Sequence, residues 1–594
     1  MEKAQILNRQ PLLILVISLI LGIFFQDRFL LKEASIYWVI TLSLIVFLSG
    51  FLKSYFLYKI RSYLLCIMFF GIGVVLHSFT FHDNNVSVSG RKTIVFKISK
   101  KLNSNEKNTK YEAVIRLDRE NMNAILYIPK SEKELDFIHY YRNHAYLALP
   151  KVPEHDFQFN YSKYLKRKNI DYQCYIGGHI SCAERNDLSI GEKFSQQRLE
   201  VLQKIDRTGI SSRSKEFLKG IILADRTEID AETVQDFSRS GLVHFLAISG
   251  THIVVIFGLF YFLLLRVFPL KYRKYAIILS LIFIWLFTVF IGFGSSVVRS
   301  SIMLTVYFIY VLLQRKTDVL HALALSAFII LVLDTQQVFD VGFQLSFLAV
   351  LGIYWLNQPI LCYFPKQDNR LKKVIFNTIS ISISAQLATL PLVLYYFHQF
   401  SFISIVANFF IVPFSEVIII FSFLMTALIA FNCDFKLLNH LYEFTIEILL
   451  KVIHWFADFN ALFFENIPMS LSEVFCLFII FSLLRAVILK GNLKNFTRLS
   501  MAFCAFLILR SSLDFYESRQ TEILFHDFSK KKIVSVKKSN SVCFWIDENS
   551  DKSKISKFII NPYCASRRIK NVEVRTLPSD VQKVACDHRI YEMK

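Results

Sequence analysis

Thirteen apolar stretches of 15 to 30 residues punctuate this chain, and the charges between them alternate. Three lie near residues 11–25, 36–52 and 63–81. Ten more lie near 242–265, 275–291, 297–313, 319–334, 341–357, 374–396, 402–431, 437–457, 471–489 and 499–513. A helix rising about 1.5 Å per residue needs roughly 20 residues to cross a hydrocarbon core of about 30 Å. In lipid every backbone N–H and C=O must be satisfied internally, so segments of this length imply helices. Among the last ten, every second connection is basic: Arg266/Lys271/Arg273/Lys274, Arg315/Lys316, Lys366/Arg370/Lys372/Lys373, Lys436 and Lys490/Lys494/Arg498. The connections at 292–296, 334–340, 398–401 and 458–465 carry almost no positive charge. Lys3 and Arg9 precede the first stretch, and Lys53, Lys59 and Arg61 separate the second from the third. Cytoplasmic loops collect Lys and Arg, so the pattern predicts a cytoplasmic N-terminus, residue 82 onward outside, and a C-terminus outside after thirteen spans.

Composition agrees: 54% of the 594 residues are hydrophobic and 15% aromatic, above the usual soluble range. The net charge of +21 does not single out nucleic acid, because basic cytoplasmic loops account for it. No internal repeat is visible, and Pro11–Phe25 lacks the small-residue cleavage site of a signal peptide. The expected fold class is a polytopic α-helical membrane protein of about 13 spans with soluble insertions. Its expected divisions are 1–81, 82–190, 191–240, 241–514 and 515–594.

The first insertion alternates apolar and polar residues at 93–99, 111–117, 123–129 and 144–150, which predicts a small antiparallel sheet or barrel. Residues 192–240 turn helical in pattern. Residues 82–210 hold 22 Lys and Arg against 16 Asp and Glu, with nine tyrosines. Such a surface suits single-stranded nucleic acid, and equally an ordinary solvated face. Cys174 and Cys182 flank Gly177-Gly178 in a segment predicted to lie outside, where the expectation is a disulfide closed round a turn. After residue 515, TEILFHDF, KKIVSVKK and NSVCFWIDE read as three strands.

Within the membrane region, Gly241–Arg266 carries His244, Ser249, Gly250, Thr251 and His252 in its outer half. Polar groups at that depth face other helices or water. Ser249 and His252, three apart, are expected on one helix face. Two readings stand side by side, an inward-facing wall of a path and a close helix–helix contact. Arg299, Gln344, Gln386 and Asn408 are further polar residues inside apolar stretches, and Pro413 is expected to kink or break the 402–431 segment.

The run GIILADRTEIDAETVQDFSRSGLVHFLAISGTHIVVI (220–256) resembles the signature of the ComEC-type competence proteins. Asp225, Arg226, Gly241, His244, Ser249, Gly250 and His252 match the family pattern, and Ala224, Thr227 and Thr251 depart from it. FQFNYSKYLKRKNI (157–170), GFGSSVVRSSIML, VGFQLSFLAVLGI and ISIVANFFIVPF, the last containing Pro413, resemble further family segments. The resemblance implies a channel for single-stranded DNA through the bacterial inner membrane, with an OB-like extracytoplasmic domain. It implies a path lined by Ser249, Gly250, His252, Arg299, Gln344 and Asn408, and a DNA-binding surface at Tyr164, Lys166, Arg167 and Lys168. By analogy the partners are membrane lipid, a cytoplasmic helicase or translocase motor and an outer DNA receptor, since the chain has no phosphate-binding Gly-x-x-x-x-Gly-Lys-Ser/Thr loop.

Many relatives end in a metallo-β-lactamase-like domain. Here 515–594 resembles its opening strands without the His-x-His-x-Asp-His cluster, so no metal, no cofactor and no nuclease activity are expected. The alternatives are a solute or lipid transporter of the same topology, or a membrane hydrolase using Ser249, His252 and Asp225.

Overall fold

The computed structural model describes residues 10–80, 89–104, 107–117, 120–227, 229–315, 318–528, 531–578, 583–586 and 589–592. It forms two compact units. The first contains Met1–Pro150, Tyr164–Tyr354 and Val406–Phe459, and the second contains Lys151–Lys163, Trp355–Ile405 and Asn460–Lys594.

The first unit opens with α1 (Pro11–Phe29), α2 (Glu33–Ser49) and α3 (Tyr55–Thr80). Two glycines set how closely α1 and α3 approach. A Cβ on Gly22 would lie 2.0 Å from the Phe70 carbonyl oxygen, and one on Gly73 would lie 2.2 Å from that of Leu19. Small residues at a crossing let membrane helices pack backbone to backbone.

The insertion is a barrel. β1 (Gly90–Leu102), β2 (Asn108–Leu117), β3 (Glu120–Pro129) and β4 (His139–Ala148) contain the four alternating stretches. A short α4 (Tyr161–Lys166) precedes β5 (Tyr172–Ile176) and β6 (Ser181–Glu184). β1 pairs with β2 and with β4, β2 with β3, β3 with β5 in parallel, and β5 with β4, so five strands close into a ring. Ile94, Phe96, Ile98, Ala113, Ile115, Ala124 and Leu126 point inward and are buried, and alternate residues face out.

The expected Cys174–Cys182 disulfide is not formed; both thiols are free. Instead of turning at Gly177-Gly178, the chain runs straight on along β4. Leu147 faces Cys174 and Tyr141 faces Cys182. Six residues of strand separate those partners, about 20 Å, far beyond the reach of a disulfide. The interruption between β5 and β6 is held by Asn143, whose side-chain N–H group donates to the carbonyls of Gly177 (3.3 Å) and His179 (3.0 Å).

α5 (Ile190–Arg207), α6 (Ser212–Leu223) and α7 (Ala231–Arg239) form the helical connector. Ten helices follow: α8 (Gly250–Val267), α9 (Arg273–Phe290), α10 (Ser295–Leu312), α11 (Val319–Leu333), α12 (Val341–Leu361), α13 (Arg370–Phe397), α14 (Ser404–Ala430), α15 (Lys436–Ala457), α16 (Leu471–Leu489) and α17 (Leu493–Ser518). Every predicted apolar stretch thus contains a helix. Among the described residues nine of these helices are long and apolar enough to cross a membrane; α2 and α11 are apolar but shorter. α12 is not among the nine, and neither is α15. Its polar residues His440, Glu443, Glu447, Lys451 and His454 recur every three or four positions, and it packs on α7 and α6.

In the second unit a two-residue bridge joins β7 (Phe400–Ser401) to β8 (Phe463–Phe464). The C-terminal sheet then has the order β12 (Asn571–Leu577), β11 (Ser541–Asp547), β10 (Lys531–Lys538), β9 (Glu522–Phe528), with β12 parallel to β11. The three predicted strands are β9, β10 and β11. The arm at 151–163 belongs to this unit. His155 Nε2 lies 2.7 Å from the Phe525 carbonyl, and Arg567 donates to Asp156 at 2.8 and 3.1 Å. Arg568 also ties the sheet to the helices, pairing with Asp514 at 2.7 Å and with fully buried Glu473.

Candidate functional site

The signature residues from Asp225 to His252 do not share one helix. α6 stops at Leu223, because Ala224 takes a left-handed conformation (φ 56°). Asp225 then turns inward. Burial opposes its charge, but the Lys101 ammonium at 3.6 Å, with the Thr227 hydroxyl (2.7 Å) and N–H (3.1 Å), holds the carboxyl below the usual carboxylate range. Lys101 comes from β1, so this part of the signature ties the connector to the barrel. Arg198 of α5 supports the same corner, its Nε donating to the Leu223 carbonyl at 2.7 Å. Arg226 is half-buried beside Gly220.

Gly241 adopts φ 74°, open to glycine at no steric cost. A single 3₁₀ turn follows at Val243–Phe245, and the chain stays unwound up to Ser249. The span expected from residue 242 therefore starts at Gly250, and its 18 residues reach about 27 Å. Ser249 is the N-cap and His252 is N3. Nδ1 of His252 accepts from the Ser249 backbone N–H at 3.1 Å and lies 2.8 Å from the Ser249 hydroxyl. This is a capping box with an imidazole where Glu or Gln is usual. The two residues do meet, but across a helix start rather than along a helix face.

His252 is fully buried, and its Nε2 has no hydrogen-bond partner. A Cβ on Gly250 would come within 3.2 Å of Ser300 Oγ on α10. His244 and Thr251 remain exposed. Asp225 is held by Lys101 and Thr227 rather than by His252, so Ser249, His252 and Asp225 are not assembled as a triad.

Arg299, one turn into α10, is buried and pairs with Asp340 at 3.1 Å. Asp340 also accepts the Phe343 N–H at 2.9 Å and so caps α12. Gly342 leaves the room: a Cβ there would lie 2.7 Å from Arg299 Nη2. Arg299 thus positions the start of α12.

Residues 221–490, which contain the α8 start and the Arg299–Asp340 pair, match the family described as "Competence protein". The chain thus contains a competence-protein domain over those residues. It is 30% identical to "ComE operon protein 3" of Bacillus subtilis over 267 residues, 43% of this chain and 31% of that protein. It is 27% identical to "Recombination protein 2" of Haemophilus influenzae over 248 residues, 40% of this chain and 30% of that protein. An uncharacterized protein of Aquifex aeolicus is 25% identical over 275 residues, 45% of this chain and 60% of that protein. The matches span about a third of the first two relatives. No solved structure matches.

Elsewhere in the competence domain, Gln344 donates to the Val338 carbonyl at 2.9 Å and steadies the turn before α12. Asn408 is buried in α14, with its Oδ1 unpartnered. α14 runs unbroken through Pro413, which sits exposed on its side, so the expected break is absent. On the barrel's 164–168 segment, Tyr164, Lys166 and Lys168 are exposed, with the Lys168 ammonium 4.5 Å from the Tyr164 ring centre. Arg167 is engaged internally: it contacts both Asp27 oxygens at 3.1 Å and lies 3.5 Å over the Phe339 ring.

Asp27, Asp340 and Gly342 carry this architecture without having stood out in the sequence. Their partners lie 140, 41 and 43 positions away, so no local pattern exposes them. Among the described residues no group of His, Cys, Asp or Glu is placed to hold a metal.

Proposed function

We propose that this chain conducts single-stranded DNA across the bacterial inner membrane during natural transformation. The observation that carries the reading is the competence-family match over 221–490, coincident with a bundle of apolar helices. The names of two relatives, a protein of a competence operon and a recombination protein, agree with a role in DNA uptake. In this reading the unwound entry 241–249 borders the path, since irregular backbone at membrane depth is tolerated only where protein or water covers it. Exposed His244 and Thr251 meet the strand there, and Ser249, Gly250 and His252 fix the wall behind them. Arg299, Gln344 and Asn408 act behind the wall as well, by positioning α12 and α14.

The proposal includes thirteen spans, a cytoplasmic N-terminus, and the barrel and C-terminus outside. The closed five-strand ring with one parallel pair supports the OB reading of the barrel. The chain acts as a conduit rather than an enzyme, with energy supplied by a cytoplasmic motor and DNA delivered by an outer receptor. A solute transporter would be favoured by paired charges at the bilayer centre; the Arg299 pair sits instead one turn from a helix end.

The test is complementation. A strain lacking its competence channel, supplied with this chain, regains protected intracellular label from labelled DNA. Normal membrane level of the chain with no protected label would refute the proposal. Labelling Cys182 in intact cells with a membrane-impermeant thiol reagent, after replacing the other exposed cysteines, tests the placement of the barrel.

A further inference from the structure

One row around the outside of the barrel differs from the rest. Lys110 on β2 lies directly opposite Tyr127 on β3, Tyr127 opposite Tyr175 on β5, Tyr175 opposite Tyr146 on β4, and Tyr146 opposite Arg91 on β1. With strands about 4.8 Å apart, these five residues span roughly 19 Å of the circumference. The rings of Tyr127 and Tyr175 stack, with centres 4.8 Å apart and planes within 16°. The Lys110 ammonium lies 5.5 Å from the Tyr127 ring centre, and Gln173 donates to the Tyr127 hydroxyl at 3.0 Å. Tyr175 and Tyr146 are 44% and 50% exposed.

Cross-strand aromatic pairs steady a sheet, which accounts for Tyr127 against Tyr175. It does not account for two neighbouring tyrosines left half in water with a cation at each end of the row. Among the strands the other outward tyrosine, Tyr140, is held by Asp187 at 2.6 Å. Exposed rings flanked by Lys and Arg are the parts of a platform for unpaired bases: each base has a π-face to stack, and the cations meet the phosphates. A duplex keeps its base faces inside its own stack and finds little to bind here.

We infer that the Tyr127–Tyr175–Tyr146 row, with Lys110 and Arg91, is a single-strand binding platform, in which bases stack on Tyr175 and Tyr146 and the backbone passes between the two cations. The inference rests on the proposal that single-stranded DNA is the cargo, and names where the barrel takes hold of it.

The experiment uses the full-length protein in detergent micelles and the anisotropy of a fluorescent oligothymidylate of about 16 nucleotides. Tyr146→Ala/Tyr175→Ala weakens binding about tenfold or more, while Tyr146→Phe/Tyr175→Phe binds as the wild type does, because stacking needs the ring and not the hydroxyl. Arg91→Ala/Lys110→Ala lowers the slope of log affinity against log salt by about 0.7 for each cation lost. Thermal unfolding of each variant reports whether the barrel is intact. If the wild type binds and the folded double-alanine variant binds equally well, the platform is refuted and the conduit reading survives. Failure of the wild type to bind single strands would overturn both. Preference for duplex of the same length would also refute the platform.

Discussion

The start of α8 and the outer face of the barrel hold the same kinds of side chain, imidazoles, hydroxyls, rings and cations, and use them in opposite ways. At α8, His252 is fully buried, and its ring nitrogen completes a helix cap. At Arg299 a guanidinium is closed over Gly342 to hold the start of α12. On the barrel, Tyr175 and Tyr146 lie half in water with cations nearby. In lipid a polar group is costly unless satisfied, so a membrane helix turns its polar residues toward one another. On a water-facing sheet the same groups can meet a ligand. The difference teaches that residues marking the family in sequence hold the fold together, whereas the tyrosine row proposed to bind a strand carries no motif.

The largest effect that would break this contrast is expected at Arg299. Arg299→Ala leaves half-buried Asp340 without its partner and empties the space that the buried guanidinium fills, at a cost of about 3 kcal/mol. The chain should largely disappear from the membrane fraction on immunoblots. An unchanged level would show that the pair is not structural.

The C-terminal sheet sharpens the contrast, because there too a histidine is buried. His526 is fully buried, with Nε2 2.8 Å from the Ser535 hydroxyl and its ring 4.8 Å from that of His155. Burial, then the neighbouring His155, pushes its pKa down to about 4. The neutral form is the folded one, so its stabilisation is complete above the unfolded value near 6.5 and is lost as pH falls toward 4. That difference amounts to about 3 kcal/mol at most. Amide exchange in β9 and β10 should accelerate between pH 6.5 and 4 beyond the intrinsic trend, and His526→Gln should flatten that excess. An excess unchanged in His526→Gln would mean that another group is responsible.

A smaller effect is expected at the cap. His252→Ala removes one half of the capping box, worth about 1 kcal/mol, and His252→Gln, a usual residue at N3, retains it. Thermal melts in detergent should place the alanine variant below the glutamine variant. The opposite order would mean that the buried imidazole acts through something other than the cap.

Much of the fold was legible in the chain. Apolar length and alternating loop charge marked all the helices of the bundle, and two-residue periodicity marked β1 to β4. Closure of the barrel was not legible, because it rests on β3 meeting β5 some 50 residues later. The pairing of Cys174 with Cys182 failed for a related reason: nearness in sequence across two glycines suggests a turn, but β4 offers a continuous edge that draws the chain straight. The site was less legible than the fold. Ser249 and His252 were marked by their depth in an apolar run, yet the unwinding before Gly250 depends on the φ of Gly241 and on a cap that only the folded chain displays. The tyrosine row could not be seen at all, since strand register alone brings residues 110, 127, 175, 146 and 91 into line.

The contrast itself is tested most directly by measuring two quantities in the same cells: membrane abundance, and protected DNA taken up per molecule of protein. For Arg299→Ala the expectation is that abundance and uptake fall together, so uptake per molecule holds. For Tyr146→Ala/Tyr175→Ala abundance should hold while uptake per molecule falls about tenfold, as expected from lost base stacking. Full uptake per molecule in the tyrosine variant, together with loss of uptake at normal abundance in Arg299→Ala, would contradict the account.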